Sequence, residues 1–521
     1  MNQLSNPPNK YFWLLFGLSA FILWFRLGAT PIYILDEAKN AQCAREMLLR
    51  HDCIVPTFNG ELRTDKPALH YWFMMLAYNT FGIHEWTARL FATIMGLSTI
   101  FITWFFTKKW FSASAAFFAA VFLCCSTQFL FEFRLSVPDP FLIFFTSLGL
   151  FALYGYLTTV QLKWIVLTAI ALGLATLSKG PVALALPGLT ALLFALFQKK
   201  WKAIFNLKLI MAAVLFLCIT LPWYVAVHKA TNGAWTKGFF FDHNLNRFSS
   251  TMEGHGGPFI ITPLIVFIGL LPGSIFIFSA LKKKYTVWTQ PFTQFTAIVA
   301  LVYIVFFSVS RTKLPNYPMP CYPFVAIVLA NWASKFLPER KPFPLYAILT
   351  LLIVGLILPI GGYLALHVET ATQHLPPLAL CLIPLPLGLS LLLIRRKIKI
   401  FEKNVLSLVV LYSIFNCLFI DVLYPIVYKN NPVTLSLPFI DTNNKVVAFQ
   451  DYNPAYNFYL PHTVDIIQKK DSLHIIAGQQ KTFILARQDK AAVLDTMGYK
   501  HIITAHDIFE NPTSVVFFSN K

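Results

Sequence analysis

The sequence predicts an all-α polytopic membrane domain with about thirteen transmembrane helices, followed by a small C-terminal soluble α/β domain. The 521 residues are 57% hydrophobic and only 12% charged, with 51 Phe, far from the composition of soluble proteins. Apolar stretches near the ~20 residues that a bilayer requires recur as far as residue 430. Beyond residue 437 the apolar runs are short and lie between polar segments, as in strands of a soluble domain.

The net charge of +19 does not indicate a nucleic-acid-binding protein, because the basic residues stand in short clusters between apolar runs. No nucleic acid partner is therefore expected. The eight cysteines include no CxxC pair, so neither a zinc site nor a disulfide framework is predicted. Cys43 and Cys53 share the first loop and could pair in an oxidising compartment.

The predicted membrane domain covers residues 1–430. Its first span, Tyr11 to Leu27, has no cleavage site after it and is expected to be an uncleaved anchor. Residues 28–85 form a large outer loop, in which Ala68 to Phe81 is too short to cross and predicts an interfacial helix. Further crossings are predicted to begin near Trp86, Ala113, Pro140, Trp164, Pro181, Leu207, Phe259, Phe292, Tyr317, Pro344, Leu378 and Asn404.

Basic clusters fall in every second connection, which predicts that these connections and the N-terminus are cytoplasmic. The alternate connections then lie outside. Because the number of predicted crossings is odd, the C-terminus lies outside as well. The clusters are Lys108-Lys109, Lys163, Lys199 to Lys202, Lys282 to Lys284, Arg340-Lys341 and Arg395 to Lys399.

The C-terminal domain is placed at residues 437–521. It contains neither a Gly-rich phosphate loop nor a recognisable catalytic constellation. A helix is predicted from Ala491 to Met497, ended by Gly498. Strands are predicted at Lys445 to Gln450, Thr482 to Ala486, His501 to Ala505 and Ser514 to Ser519.

The first outer loop carries candidate catalytic acids. Asp36 and Glu37 stand at a predicted helix start, where they would diverge by about 100°, so one of them should face a given target. Either could accept a proton from a hydroxyl, and the alternative is helix capping. Lys66, between Asp65 and Pro67, could offer a charge to a phosphate or pair with Asp65.

A second outer segment runs from Glu132 to Asp139, directly before a span. Asp139 is a candidate catalytic acid. The alternative is that it caps the following helix, because Asp before Pro140 is a common helix start.

A third outer segment, Phe239 to Phe248, reads FFFDHNLNRF. On a helix His243 and Arg247 share a face, and Arg247 could bind a phosphate with two hydrogen bonds. His243 with Asp65 or Glu61 is a candidate pair for a divalent metal, but a lone histidine is more often a hydrogen-bonding group.

The fourth segment, Ser310 to Pro320, places Arg311 and Lys313 on the outer face, against the usual bias of basic residues. This predicts an anionic ligand at that surface. The alternative is that both side chains reach lipid phosphates.

Together these motifs resemble bacterial membrane glycosyltransferases of the protein-mannosyltransferase and lipid A aminoarabinose-transferase group. The resemblance extends from Asp36 to about Pro323, with Ala68 as a departure where a second proline is common. The motifs that carry it are LDEAKNAQCAREML, NGELRTDKPALHYW, SVPDPFLIFF, LSKGPVALALP, FDHNLNRF and RTKLPNYPMPCYP.

The resemblance implies a C-type glycosyltransferase fold in the bacterial inner membrane. It implies inverting transfer of a sugar from a polyprenyl-phosphate carrier to a lipid A, glycolipid or protein acceptor at the periplasmic face, with no required cofactor. Asp36 takes the place of the catalytic aspartate and Asp139 that of a second acid. Lys66, Arg247 and Lys313 match basic positions near the carrier phosphate.

Two other functions would also explain many spans with embedded charges. A transporter or flippase for a lipid-linked anion should have a midplane site with broken helices and internal repeats, and no repeat is detectable. An envelope scaffold would leave the outer basic residues unexplained.

Overall fold

Long apolar helices form most of the chain before residue 430. The computed structural model describes residues 9–204, 206–245, 256–280, 290–336, 343–395, 401–509 and 512–519. In these ranges eight helices are long and apolar enough to span a membrane, or nine if the bent pair Ile261–Gly269 and Gly273–Ala280 is one span. The eight are Glu85–Trp110, Asp139–Thr159, Leu162–Lys179, Leu207–Ala230, Pro291–Val309, Leu345–Val368, Pro376–Arg395 and Asn404–Tyr428.

Four helices at predicted crossings are shorter than these. The count of about thirteen would require each of them to cross the membrane, although none reaches the length of about 20 residues that a bilayer needs. They are Asn9–Trp24, Ala113–Cys125, Val182–Gln198 and Tyr322–Phe336. Other helical segments are Leu35–Leu49, Leu69–Phe81, Thr127–Glu132, Trp201–Ile204, Ala234–Lys237, the π-helix Gly238–Leu245 and Pro432–Ser436.

Polar residues collect where helices begin and end. Asp139 is the first residue of Asp139–Thr159, and Lys179 is the last residue of the next helix, Leu162–Lys179. Because the two helices are joined by a short turn, the start of one and the end of the other lie at the same face. Glu132 ends the helix Thr127–Glu132.

The predicted outer loop, residues 28–85, folds around the helix Leu35–Leu49 and a hairpin of β1 (Thr57–Phe58) and β2 (Glu61–Leu62). Asn59 and Gly60 form the tight turn, both with positive φ, as Asn-Gly favours. The Glu46 carboxylate ties the helix to this hairpin. It accepts hydrogen bonds from Thr57 Oγ1 at 2.6 Å and from the backbone N–H of Asn59 at 2.7 Å.

The C-terminal domain is a five-stranded mixed sheet in the order β4-β3-β5-β7-β6. The four predicted strands and the predicted helix, Ala491–Thr496, are confirmed. The short strand β4 and the helix Lys470–Gln479 were not predicted. The strands are β3 (Lys445–Phe449), β4 (Asp465–Ile467), β5 (Thr482–Arg487), β6 (Lys500–His506) and β7 (Thr513–Ser519).

The sheet domain is attached to the predicted outer loop, residues 28–85, by polar contacts. Arg45 Nη1 donates to the backbone carbonyls of Asn457, Phe458 and Leu460, at 2.8–3.2 Å. The Asn59 side chain makes two hydrogen bonds with the backbone of Val464, at 2.9 and 2.8 Å. The C-terminal domain therefore supports the loop that carries Asp36.

Candidate active site

The adjacent acids of the first loop face different surroundings, as predicted. Asp36 is exposed and Glu37 is buried, although both lie in the first turn of Leu35–Leu49. Each residue along an α-helix is rotated by about 100° from the one before it, which accounts for the difference. Asp36 is therefore the acid that a substrate can reach.

Glu37 forms a bidentate ion pair with Arg89. Arg89 Nε and Nη2 donate to its two oxygens, each at 2.8 Å, and Arg89 Nη1 donates to the carbonyls of Leu27 and Thr30. The Ser136 backbone N–H also donates to Glu37 Oε1, at 3.0 Å. Glu37 was predicted as a candidate catalytic residue, but any role in the reaction would first require breaking this buried pair.

Asp139 pairs with Lys179. The distance from Lys179 Nζ to Asp139 Oδ1 is 2.5 Å, and both side chains are almost buried. Lys179 also lies over the ring of Tyr317, 4.8 Å from its centroid. The Asp139 carboxylate thus has a partner on the next helix, which the capping alternative did not include.

Glu132 is a third acid in the site, beside Asp139. It is buried, and its charge interacts with those of Asp139, Lys179, Asp36 and Glu37. Burial, and then the Asp139 carboxylate, raise the pKa of Glu132 to about 8. Sequence reasoning named Glu132 only as the start of its segment. An acid at a polar break between apolar helices was the available signal.

The raised pKa of Glu132 predicts a pH-dependent stability. A carboxyl with a raised pKa contributes stability that is present below its ordinary pKa of 4.5 and is lost as pH rises through about 8. Glu132→Gln should therefore reduce the fall in melting temperature of the purified protein between pH 5 and pH 8. Thermal unfolding followed by tryptophan fluorescence measures this. Parallel profiles for the two proteins would show that Glu132 is ionised throughout.

The basic side of the site lies in the loop after β2. Lys66 is buried, and Arg63 Nε lies 3.3 Å from Asp65 Oδ2. Burial first, and then the charges of Arg63 and Lys66, lower the pKa of His70 well below its ordinary value. Arg63 and Lys66 therefore both act on the same buried histidine. Arg63 was not singled out from the sequence.

The π-helix Gly238–Leu245 brings the third predicted segment to this loop. A Cβ on Gly238 would lie 2.6 Å from Thr64 Oγ1, so the backbone packs directly on the loop between Arg63 and Asp65. A Cβ on Gly180, which has φ +95°, would lie 2.6 Å from a ring carbon of Phe239. The π-helix thus lies against both the Asp65 loop and the end of the Lys179 helix.

Two predicted residues of this segment cannot be placed in the site. Arg247 lies outside the described residues, and only the backbone of His243 is described. Among described side chains, no group of three histidines, cysteines or acids is arranged to hold a metal ion. Cys43 is buried and Cys53 exposed, and both are free thiols.

Lys313 and Arg311 follow the helix Pro291–Val309. Lys313 Nζ donates to the carbonyls of Ser308, at 3.1 Å, and Ser310, at 2.5 Å. It therefore satisfies carbonyl groups left open at a helix end. Arg311 is exposed. An anion held by either residue stays a prediction.

The described site combines an exposed carboxylate with buried acids and with cations that are buried or largely buried, at one end of the helices. The acids are Asp36, Glu132 and Asp139, and the cations are Arg63, Lys66 and Lys179. Cations in a site of low dielectric stabilise negative charge on a leaving group, and a carboxylate can accept the proton of an attacking hydroxyl. The arrangement suits transfer of a group away from an anionic carrier.

Comparison with known proteins gives a matching family model and several bacterial relatives. The family model described as dolichyl-phosphate-mannose-protein mannosyltransferase matches residues 65–225, a range that includes Lys66, Asp139 and Lys179. An uncharacterized protein of Aquifex aeolicus is 30% identical over 305 residues, which are 58% of this chain and 68% of that protein. The undecaprenyl phosphate-alpha-4-amino-4-deoxy-L-arabinose arabinosyl transferase of Pseudomonas aeruginosa UCBPP-PA14 is 30% identical over 324 residues, 60% of this chain and 58% of that enzyme.

The fold is also found in a solved structure. The crystal structure of ArnT from Cupriavidus metallidurans bound to undecaprenyl phosphate superposes with a TM-score of 0.81, covers 98% of each chain and is 19% identical in sequence. The likeness shows a common fold. The predicted class, a polytopic helical domain of the C-type glycosyltransferase fold with a small C-terminal sheet domain, is therefore confirmed.

Proposed function

This chain belongs to the bacterial lipid-linked-sugar glycosyltransferases of the protein-mannosyltransferase and lipid A aminoarabinose-transferase group, and we propose that it transfers a pentose or hexose to a periplasmic acceptor. The donor is a sugar on a polyprenyl-phosphate carrier, and the acceptor is a lipid A, another glycolipid or a protein hydroxyl. The observation that best supports this function is the grouping of Asp36, Asp139 and Lys179 around Glu132 at helix ends. The buried Lys66 lies in the loop after β2.

The reaction exchanges one bond at the anomeric carbon of the sugar. The bond from this carbon to the carrier phosphate oxygen breaks, and its electron pair stays on the phosphate. Lys66 stabilises that charge, with Arg247 and Lys313 as further proposed contacts. No nucleotide is needed, because a polyprenyl phosphate is already a leaving group.

The acceptor attacks the opposite face of the same carbon, so the product has the inverted configuration. Asp36 takes the proton of the attacking hydroxyl, while a phosphate acceptor would need little base catalysis. Asp139 acts through its pair with Lys179, which fixes the helix ends that border the site. The acids beside Asp36 are largely buried, which favours a site that excludes water. Water in the site would otherwise hydrolyse the donor.

The site at helix ends argues for a transferase over a flippase. A flippase is expected to hold its ligand near the middle of the membrane, on broken helices. The bent pair Ile261–Gly269 and Gly273–Ala280 is such a break, but Asp36, Asp139 and Lys179 belong to other helices and lie at their ends.

The proposal requires the site and the C-terminal sheet domain to face the periplasm. In a cysteine-free background, a cysteine at the exposed Lys500 should react with a membrane-impermeant maleimide in intact spheroplasts. A cysteine at the exposed Lys109 should react only after lysis. Labelling of Lys109→Cys but not of Lys500→Cys in intact spheroplasts would show that the protein has the opposite topology.

The sugar and the acceptor can be identified in cells. Lipid A and envelope glycoconjugates of a deletion strain can be compared with those of wild type by mass spectrometry. One glycoconjugate of the deletion strain should lack a single pentose or hexose. Plasmid-borne wild type should restore it, and Asp36→Asn should not. Identical glycoconjugates in the deletion and wild-type strains would contradict the proposed function.

A further inference from the structure

Arg63 is a buried cation whose protein neighbours leave most of its hydrogen-bonding capacity unused. Only 4% of its side chain is exposed. Among the described residues, Nε, Nη1 and Nη2 have no hydrogen-bond acceptor. The Asp65 carboxylate approaches Nε to 3.3 Å as an ion pair, without the alignment of a hydrogen bond. A guanidinium carries five N–H donors, so burying it in this way is costly.

Apart from Asp65, and Asp36 with a smaller effect, the neighbouring side chains do not offer negative charge to Arg63. Burial raises the pKa of the Cys43 thiol to about 12, and burial also raises the pKa of Tyr71, so both are neutral. His70 is neutral as well, because of its lowered pKa. The carboxylate of Glu46 accepts four hydrogen bonds from Gln42, Thr57, Asn59 and Gly60.

A second unused donor lies in the same region. The Tyr71 hydroxyl, which lies near enough to Arg63 to interact with it electrostatically, donates to Asn40 Oδ1 at 3.2 Å. Asn40 is fully buried, and its Nδ2 has no acceptor among the described residues. The region therefore has an excess of donors, which is the pattern expected of a binding site for an anion or another acceptor-rich group.

The position of Arg63 connects this donor excess to the reaction. Arg63 precedes Lys66 by three residues, both charges act on His70, and the charge of Arg63 also interacts with Asp36. Thr64, the next residue, packs on the π-helix at Gly238. An anion between Arg63 and Lys66 would therefore lie beside the proposed base.

We propose that Arg63 binds a phosphate group in this site, with its planar guanidinium donating two hydrogen bonds to the phosphate oxygens. This inference rests on the proposed function, which brings a phosphate to the site on the lipid carrier. The same chemistry would suit a phosphate on the acceptor. Guanidinium and phosphate match in geometry, which a lysine at the same position would reproduce only in part.

A stability measurement separates this role from a structural one. In ligand-free protein the ion pair with Asp65, whose side chain is 25% exposed and keeps part of its hydration, offsets little of the cost of burying Arg63. Arg63→Met should therefore melt at or above the wild-type temperature. A structural arginine would give a lower melting temperature. Arg50→Met, which removes an exposed arginine of the same loop (42% of its side chain is exposed), is the matched control.

The binding measurement uses purified full-length protein in detergent with undecaprenyl phosphate and, as the phosphate-free control, undecaprenol. Arg63→Met should raise the dissociation constant for undecaprenyl phosphate about tenfold or more. Arg63→Lys should recover part of this loss, and Arg50→Met should bind like wild type. Undecaprenol should bind all four proteins alike.

An acceptor assay identifies the source of the phosphate. Wild type and Arg63→Met are compared with envelope lipids of the deletion strain as acceptor, before and after phosphatase treatment. If Arg63→Met binds the carrier like wild type but no longer prefers untreated lipids over phosphatase-treated lipids as acceptor, Arg63 binds a phosphate of the acceptor. If Arg63→Met changes neither carrier binding nor this preference, the inference is wrong. Wild type that binds undecaprenyl phosphate no better than undecaprenol would instead contradict the proposed function.

Discussion

Asp36→Asn is expected to abolish measurable sugar transfer while the protein folds normally. Asp36 is exposed at the start of the helix Leu35–Leu49, so replacing its carboxylate by an amide should leave the melting temperature close to that of wild type. Loss of a general base typically lowers the rate by roughly 10²–10⁴-fold. Single-turnover rates at matched protein concentration, together with melting curves, measure both effects.

The matched control for Asp36→Asn is Asp52→Asn. Asp52 is a partly exposed acid of the same loop, and it caps the backbone of Ile54 and Val55. The Asp52→Asn variant should transfer sugar at the wild-type rate. Wild-type rates in Asp36→Asn would remove Asp36 from the reaction, and the base would then be sought at Glu132 or Asp139.

Glu37→Gln should have the opposite outcome, a large loss of stability. The substitution removes the negative charge from a pair in which Arg89 is 3% and Glu37 1% exposed. Leaving one charge of a buried pair uncompensated typically costs about 3–5 kcal/mol. The melting temperature in detergent should therefore fall well below that of Asp36→Asn.

A double variant tests whether the loss comes from the unpaired charge. Glu37→Gln combined with Arg89→Gln leaves no charge at this position and should regain part of the stability lost by Glu37→Gln alone. Glu37→Gln that melts like wild type but transfers no sugar would instead give Glu37 the catalytic role assigned here to Asp36.

The membrane helices and the sheet strands were predictable because they depend on local pattern. A bilayer requires long apolar stretches, and the helices Glu85–Trp110 and Asp139–Thr159 begin within one residue of the predicted starts at Trp86 and Pro140. The strands around Val447 and Phe483 were visible as short apolar runs. Strand β4 (Asp465–Ile467) was missed because three residues are too few to show a periodic pattern.

The contacts of the site could not be predicted in the same way, because they join residues far apart in the chain. The pairs Glu37–Arg89 and Asp139–Lys179 depend on how helices pack, which one sequence does not determine. The same holds for Arg63, since a loop arginine is ordinarily exposed and only the folded hairpin buries it. Asp36 and Lys66 stand out as charged residues in a loop next to an apolar span, and the family resemblance then implies a role for each.

The central claim is that this protein moves a sugar from a polyprenyl-phosphate carrier. The most direct test incubates purified protein in detergent with a radiolabelled polyprenyl-phosphate sugar and envelope lipids or proteins from the deletion strain. Wild type should transfer the label to the acceptor and release polyprenyl phosphate in equal amount, and Asp36→Asn should do neither. Label that stays on the carrier with wild type, across pentose and hexose donors, would contradict the claim.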